Sequence, residues 1–311
     1  MEPDKTPVKV LYIMGAGRSG STLLDMVLGS HPEVRGAGEL TNAARNGWLK
    51  NEDCSCGKPV NDCPFWSEVL RLWTRRGFGN LERYVSLQDI FERYRNLPRL
   101  LRERRSPSPE FLEYAGATRA FFDSIREAGE EQIVVDSSKS PARALALSMV
   151  PGVDLHLVHL TRDGRGVAAS LNRSWRKDEE PGVTRDVEGK PVWRTAAFWI
   201  VVNLTSEWVG RRLGPDKFLR VRYEDLVMTP SETLAKIGNP AHVDYSQLVE
   251  QLERGGTVEA EHNIAGNRLR MSENVRLKPD PGSWKKSLSE EQKWITWTLM
   301  GWLQKRYGYK R

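Results

Sequence analysis

The sequence predicts an α/β fold in which a central parallel sheet is flanked by helices. Four short runs of β-branched, aromatic and other apolar residues are spread along the 311 residues. Each run leads into a polar or glycine-containing turn, and the segments between the runs have a helical pattern. Strands separated by helices pair in parallel and place the helices on the faces of the sheet. We expect one domain over residues 1–311, because a chain of this length can bury a substantial core.

The first predicted strand, Lys9–Met14, is followed by a glycine-rich turn and a helix over Thr22–Leu28. Residues 64–130 are mainly helical in pattern, with a break between helices at "LRERRSPSPEF". The remaining strands are predicted, in order, in "QIVVDSSKS", "VDLHLVHL" and "DKFLRVRYEDL", the last of which ends near Tyr223. In open parallel sheets ligands bind beyond the carboxyl ends of the strands, so the turns after these four strands are expected to share one site.

Residues 173–193 interrupt this pattern. They are highly charged, contain proline and glycine and show little apolar periodicity. The segment is predicted to be a mobile surface loop beside the site or a disordered excursion.

The net charge of +6 indicates an anionic partner. The basic residues are scattered, without the dense stripe or aromatic interleaving of a nucleic-acid surface, so no nucleic acid is predicted. A polyanion and a small phosphorylated ligand account for the excess charge equally well. No run approaches the ~20 apolar residues of a membrane helix, and the N-terminus has no apolar signal segment. These features predict a soluble, cytoplasmic protein.

The turn after the first strand, "GAGRSGST", has glycines and small hydroxyl residues between a strand and a helix, which is the pattern of a phosphate-binding loop. It matches the dinucleotide pattern G-x-G-x-x-G, but the segment that should form the next strand, "SHPEVRGAGE", is a poor buried strand. It also matches most of the nucleotide-triphosphatase loop, except that Ser21 replaces the lysine. Neither pattern fits fully.

A second strand–turn–helix unit occurs in "LVHLTRDGRGVAASLNRSW". Arg162 lies at the strand end and Ser170 follows it within the helix, so a guanidinium and a hydroxyl can clamp a phosphate together. Two anion sites on one sheet edge indicate a nucleotide with phosphates at two separated positions.

Four segments in this order resemble motifs of the sulfotransferases that use 3′-phosphoadenosine 5′-phosphosulfate: "GRSGSTLL", "LTRDGRGVAAS", "VRYEDLVMTP" and "HNIAGNRLRM…SWKKSL". The segment "CSCG…CPFW" and the pair Trp199 and Asn203 are similar to bacterial members, and Arg18 in the first loop is typical of the bacterial, Golgi and tyrosyl-protein branches. The resemblance implies a P-loop-like parallel sheet with a helical insertion. It also implies in-line sulfuryl transfer to a hydroxyl or amine, on a small molecule or carbohydrate, with no metal required.

The resemblance implies a role for each site residue. Arg18 and Lys139 would contact the sulfuryl group and Glu39 would be the general base. The nucleotide would be held by the first loop, by the Arg162–Ser170 clamp and by the later motifs, that is by Gly17, Arg18, Ser19, Gly20, Ser21, Thr22, Arg162, Ser170, Tyr223, Gly266, Asn267 and Arg270. Residues 64–130 and 173–193 would form the acceptor pocket. A nucleotide-dependent kinase, or a non-catalytic nucleotide-binding relative, remains the alternative.

Three cysteines, Cys54, Cys56 and Cys63, lie within one short segment. A zinc site would need a fourth donor from elsewhere in the chain, because no histidine or further cysteine lies nearby in the sequence. A disulfide is unusual in a cytosolic chain. We therefore expect a tight turn with small buried thiols leading into a helix, and no metal.

Overall fold

The computed structural model describes residues 6–173, 188–278 and 282–311. Its centre is a five-stranded sheet in which every pairing is parallel, in the order β2-β3-β1-β4-β5. The strands are β1 Val8–Met14, β2 Val34–Gly36, β3 Ile133–Lys139, β4 Val153–Thr161 and β5 Phe218–Arg222. The predicted α/β fold with a central parallel sheet is confirmed.

Strand β1 occupies the middle of the sheet because it is apolar on both faces. It pairs with β3 on one side, where Leu11 lies opposite Val135, and with β4 on the other, where Leu11 lies opposite His156. All residues of β1 except Lys9 are buried. The edge strand β2 was not predicted, since three residues are too few for an alternating pattern to be recognised.

Helices cover both faces of the sheet. The described helices are α1 Ser21–Gly29, α2 Pro64–Arg75, α3 Leu81–Phe91, α4 Leu97–Glu103, α5 Pro109–Gly129, α6 Pro141–Leu147, α7 Gly164–Leu171, α8 Val192–Leu213, α9 Tyr223–Met228, α10 Pro230–Ala241, α11 Ser246–Glu253, α12 Trp284–Ser287 and α13 Glu290–Arg306. One core cluster packs α2–α6 on one face of the sheet, and a second packs α1 and α9–α11 on the other. Residues 64–129 are thus mainly helical, as predicted, and the predicted break is present between α4 and α5.

Two other predictions concern the charged segment and the absence of a membrane helix. Of the charged segment 173–193, residues 174–187 lie outside the described part of the chain, and α8 begins at Val192. Among the described helices, none combines the length and apolar character that a membrane span requires.

Candidate active site

A cavity of about 360 Å³ opens at the carboxyl ends of the strands. Its walls come from the first loop, the turns after β2, β3 and β4, the start of α9 and a loop near residue 266. The lining residues are Gly17, Arg18, Gly20, Ser21, Thr22, Leu23, Glu39, Lys139, Arg162, Ser170, Tyr223, Gly266, Asn267 and Leu269. A larger groove of about 1100 Å³, along α5, contains none of the predicted site residues.

The first loop is held in shape by residues with left-handed backbone. Arg18 has φ +70° and Gly20 has φ +94°. A side chain at Gly20 would also place its Cβ 2.4 Å from the Tyr223 ring, so only glycine fits there. Around Gly17, by contrast, there is open space. The loop leads into the N-terminus of α1, where backbone N–H groups and the helix dipole favour an anion.

Positive charge is concentrated beside this loop. The Arg18 guanidinium donates a hydrogen bond from Nε to Ser170 Oγ over 2.9 Å. Burial lowers the pKa of Arg18, and the nearby charges of Arg162, Arg268 and Arg173 lower it further. Mutual repulsion of this kind is relieved when an anion binds among the guanidinium groups.

Arg162 is positioned by three neighbours. Its Nη1 donates to the backbone carbonyl of Arg18 over 3.0 Å, and its guanidinium lies 4.4 Å above the centre of the Tyr223 ring. Its own carbonyl accepts a hydrogen bond of 3.1 Å from the indole of Trp199 on α8. The resemblance had singled out Trp199 without a role, and this contact supplies one.

Ser170 is carried by α7, whose start is fixed on both sides. The Asp163 carboxylate caps the helix by accepting the Arg165 N–H over 2.9 Å. The Asp163 N–H in turn donates to Glu224 over 3.0 Å, and Glu224 also accepts from the Tyr309 hydroxyl. Burial raises the pKa of Glu224. These contacts join the turn after β4 to the turn after β5.

Glu39 and Lys139 form an ion pair in the lining of the same cavity. Lys139 Nζ donates to Glu39 Oε1, and the Asn42 side-chain amide donates to Oε2 over 3.1 Å. The side chains are largely sheltered, with 15% of Glu39 and 23% of Lys139 exposed. A carboxylate and an ammonium are therefore held together in the cavity that Arg18 and Arg162 also line.

A buried ion cluster fixes the turns that carry this pair. Arg143 is fully buried and donates from Nε to Asp136 over 2.9 Å and from Nη1 to Glu92. Asp136 also accepts from the backbone N–H of Ser138, next to Lys139. Glu92 accepts from the Thr41 hydroxyl over 2.6 Å, two residues from Glu39. The buried cluster thus connects the turn that carries Lys139 to the turn that carries Glu39.

Asp25 performs a similar task from the second turn of α1. Its buried carboxylate accepts the backbone N–H of Gly38 over 3.1 Å and the side-chain amide of Asn263 over 2.5 Å. Burial raises the pKa of Asp25 to about 7, and the hydrogen bonds only partly offset this. Asp25 was not predicted as a site residue, although one acid within the apolar helix "STLLDMVLG" indicates a buried carboxylate.

The loop after residue 262 closes one side of the cavity. Gly266 has φ +101°, and a Cβ there would lie 3.3 Å from Glu39 Oε1. The Asn267 N–H donates to the Thr22 hydroxyl over 3.4 Å. The loop therefore contacts both Glu39 and the start of α1.

Two predicted residues are not among those that line the cavity. Arg270 Nη2 donates to the backbone carbonyl of Asp53 over 2.9 Å, and Arg268 is the arginine of this loop whose charge acts on Arg18. Both lie in the short turn Arg268–Met271, next to the lining residues Asn267 and Leu269. Ser19 is buried, and among the described residues its hydroxyl has no hydrogen-bond partner.

The surroundings of the three cysteines differ from the predicted simple turn of buried thiols. The structure brings His262 to the three thiols, with its Nδ1 3.3 Å from Cys63 Sγ and 3.8 Å from Cys54 Sγ. The fourth donor that the sequence left open therefore comes from the loop that closes the cavity.

Comparison with known proteins agrees with this fold. The model of the sulfotransferase family matches residues 11–247. The chain is similar in structure to the sulfotransferase domain of the olefin synthase from Synechococcus PCC 7002, with a TM-score of 0.54 and 19% identity over 99% of this chain and 98% of that one. The sulfotransferase domain from the curacin biosynthetic pathway gives a TM-score of 0.53 and 15% identity over 98% and 99% of the two chains.

The sulfotransferase STF9 from Mycobacterium avium gives a TM-score of 0.50 and 12% identity, over 99% of this chain and 80% of that one. At these identities the likenesses show a shared fold. The comparison with curated proteins finds no match.

Proposed function

Because the chain belongs to the sulfotransferase family, we propose that it transfers a sulfuryl group from 3′-phosphoadenosine 5′-phosphosulfate to a small acceptor. The group transferred would pass in line from the phosphosulfate to a hydroxyl or amine of the acceptor. The observation that carries the proposal is the cavity itself, in which a cluster of arginines faces a sheltered Glu39–Lys139 pair.

The residues present fit a donor with two separated phosphates. The open space at Gly17, beside the N-terminus of α1, suits the 5′-phosphosulfate. Arg162 and Ser170 lie on the neighbouring strand–helix unit and suit the 3′-phosphate. Arg18, which bridges the two units through Ser170, has a pKa lowered by burial and by the adjacent arginines, as expected of a cation whose partner is a bound anion. Gly266, Asn267 and Tyr223 would complete the nucleotide site, together with Arg270 as proposed from the sequence. Arg268, whose charge acts on Arg18, is a second basic residue of the same loop that could contact the nucleotide.

The chemistry is mainly positioning and electrostatics. Arg18 would stabilise the negative charge that develops between the leaving phosphate and the sulfuryl group. Glu39 would accept the proton of the attacking hydroxyl or amine. Lys139 would serve twice: it holds the Glu39 carboxylate in place and offers its ammonium to the sulfuryl oxygens.

The acceptor is the less defined partner. Helices α2–α5 and the segment 173–193 are proposed to shape its pocket, although residues 174–187 lie outside the described part of the chain. The candidate acceptors are a carbohydrate and a biosynthetic small molecule. The protein would need no metal for the transfer itself, since the arginines and Lys139 supply the charge that a cation would otherwise provide.

The test is a transfer assay with the phosphosulfate donor carrying labelled sulfur, run in parallel without magnesium and with added magnesium. A panel of hydroxyl- and amine-bearing carbohydrates and natural products would serve as acceptors. The proposal expects acceptor-dependent release of 3′-phosphoadenosine 5′-phosphate together with a labelled product. Transfer of phosphate from ATP with magnesium, and none of sulfate, would overturn it.

A further inference from the structure

Cys54, Cys56, Cys63 and His262 converge on one point behind the wall of the cavity. Each offers one ligand atom, and these four atoms all lie within 4.8 Å of one another. Cys54 and Cys63 are fully buried, while Cys56 is exposed. Three thiols and one imidazole are the donors of a Cys₃His structural zinc site.

The spacing of the donors matches a single tetrahedral ion. Zinc–ligand bonds of ~2.3 Å to sulfur and ~2.0 Å to nitrogen put two sulfurs about 3.8 Å apart and a sulfur and a nitrogen about 3.5 Å apart. Cys63 Sγ lies 3.7 Å from both Cys54 Sγ and Cys56 Sγ. His262 Nδ1 lies 3.3 Å and 3.8 Å from the sulfurs of Cys63 and Cys54. We propose that these four side chains bind one Zn²⁺ ion.

The backbone around the cysteines is already shaped for this purpose. The Gly57 N–H donates to the Cys54 carbonyl over 3.0 Å, and the Cys54 N–H donates to the Lys58 carbonyl over 2.9 Å. Gly57 has φ +81°, so the turn that presents Cys54 and Cys56 closes on a residue able to adopt that conformation. Cys63 precedes Pro64 at the start of α2 and makes no side-chain cap, which leaves its thiol directed at the other donors.

His262 is held from two sides. Its ring stacks on Phe65 with 5.3 Å between the ring centres and an angle of 10°. Its backbone carbonyl accepts a hydrogen bond of 2.7 Å from the Trp66 indole. Both partners belong to the first turn of α2, so the imidazole is fixed to the same element that carries Cys63.

Other uses of these groups fit less well. Two cysteines joined by a disulfide would leave the third thiol and the imidazole without a function, and the sulfurs are 3.7 Å apart. The donors are too close together to span an iron–sulfur cluster with several irons. Four protein ligands leave no open position, so the ion would be structural and would take no part in transfer.

The location suggests what the ion stabilises. The chain between His262 and Arg270 forms part of the cavity wall, and it is tied to the segment that carries Glu39: Ile264 accepts the Glu39 N–H over 2.9 Å and donates to Ala37 over 3.2 Å. Arg270 reaches back to Asp53, next to Cys54. Zinc at His262 would thus fix the end of the loop that bears Gly266 and Asn267.

The first experiment measures metal in the full chain without an affinity tag, purified under reducing conditions. Elemental analysis should find about one zinc per chain, and cobalt should replace it with the intense visible and thiolate charge-transfer bands of a tetrahedral thiolate site. Since the chain has three cysteines, a thiol reagent reports on this site alone. The thiols should react slowly until a chelator is added. Protein that carries no zinc and gives no cobalt bands on titration would overturn the proposal.

Variants test the ligand set. His262→Ala should lower the affinity for zinc by at least about tenfold and alter the cobalt bands. The matched control is His31→Ala, which removes a histidine from a loop outside the site and should leave both unchanged. If His262→Ala does not fold, Cys56→Ser replaces the exposed ligand and should cut the charge-transfer absorbance by about a third. Unchanged cobalt bands in the ligand variants would overturn the assignment.

The role in loop anchoring rests on the proposed function and has its own readout. Removal of zinc should weaken binding of 3′-phosphoadenosine 5′-phosphate by about 5- to 150-fold, the usual range of coupling between two sites. Equal affinity with and without zinc would overturn the anchoring role. A zinc-loaded protein that fails to bind the nucleotide would instead count against the proposed function.

Discussion

Arg162 Nη1 donates a hydrogen bond to the backbone carbonyl of Arg18, and the two atoms lie 3.0 Å apart. The bond joins the turn after β4 to the loop after β1, two neighbouring strands of the sheet. The Arg18 side chain returns the connection by donating to Ser170 on α7. The two anion-binding turns therefore behave as one unit, in which each holds the other in shape.

Arg162→Ala should weaken binding of 3′-phosphoadenosine 5′-phosphate more than binding of adenosine 5′-phosphate, because only the first ligand carries the 3′-phosphate. A hydrogen bond to a charged group contributes ~1.5–3 kcal/mol, which predicts about a 10- to 150-fold selective loss. Calorimetric titration of both ligands measures it. Arg162→Lys is the control that keeps the charge. Equal losses for the two nucleotides would contradict the 3′-phosphate assignment.

Glu39→Gln should leave nucleotide affinity nearly unchanged and lower turnover by about 10²- to 10⁴-fold, the usual contribution of a general base. The amide keeps the shape and the hydrogen bond from Lys139 but takes up no proton. Glu33→Gln, on the exposed turn before β2, is the matched control. Unaltered turnover in Glu39→Gln would remove it as the base.

Asp25 should make the folded protein less stable as the pH rises from about 4 to about 7. Its pKa is raised from 3.8 to about 7, so in this window the folded chain retains a proton that the unfolded chain has released. The contribution is full below about pH 4, is lost progressively up to about pH 7, and amounts to ~4 kcal/mol. Asp25→Asn should remove it.

Urea unfolding of Asp25→Asn and of the native chain at several pH values measures the difference between the two curves. Asp62→Asn makes the same substitution at an exposed aspartate and serves as the control. Parallel curves for the native chain and Asp25→Asn would show that this carboxylate titrates normally.

Arg143→Ala should destabilise the fold by ~3–5 kcal/mol, because it leaves the buried carboxylates of Asp136 and Glu92 without their cation. Chemical denaturation measures the free energy of unfolding. Arg104→Ala, at an exposed arginine after α4, should change it by less than ~0.5 kcal/mol. A loss in Arg143→Ala as small as that of the control would mean that the cluster contributes little.

Much of the sheet edge could be predicted from the sequence because strand ends in a parallel sheet are local features. The apolar run before Gly15 and the run before Arg162 each predict a strand followed by a turn. Parallel pairing of the strands then brings the two turns together. The family followed from the order of such segments, and the match over residues 11–247 confirms it.

The features of the site that could not be predicted from the sequence depend on tertiary contacts. The chain separates His262 from Cys63 by 199 positions, and no local pattern connects them. The choice between Arg268 and Arg270 depends on the rotation of one short turn. Asp25 could be suspected as a buried acid, but its partners Gly38 and Asn263 come from opposite ends of the chain.

The measurement that tests the central claim most directly is calorimetric titration with 3′-phosphoadenosine 5′-phosphate, ATP and NAD, each with and without magnesium. The arginine cluster and the two joined turns predict tight binding of the bisphosphate that does not depend on magnesium, with weak or no binding of the other two. Preference for ATP in the presence of magnesium, or no binding of the bisphosphate at all, would contradict the account.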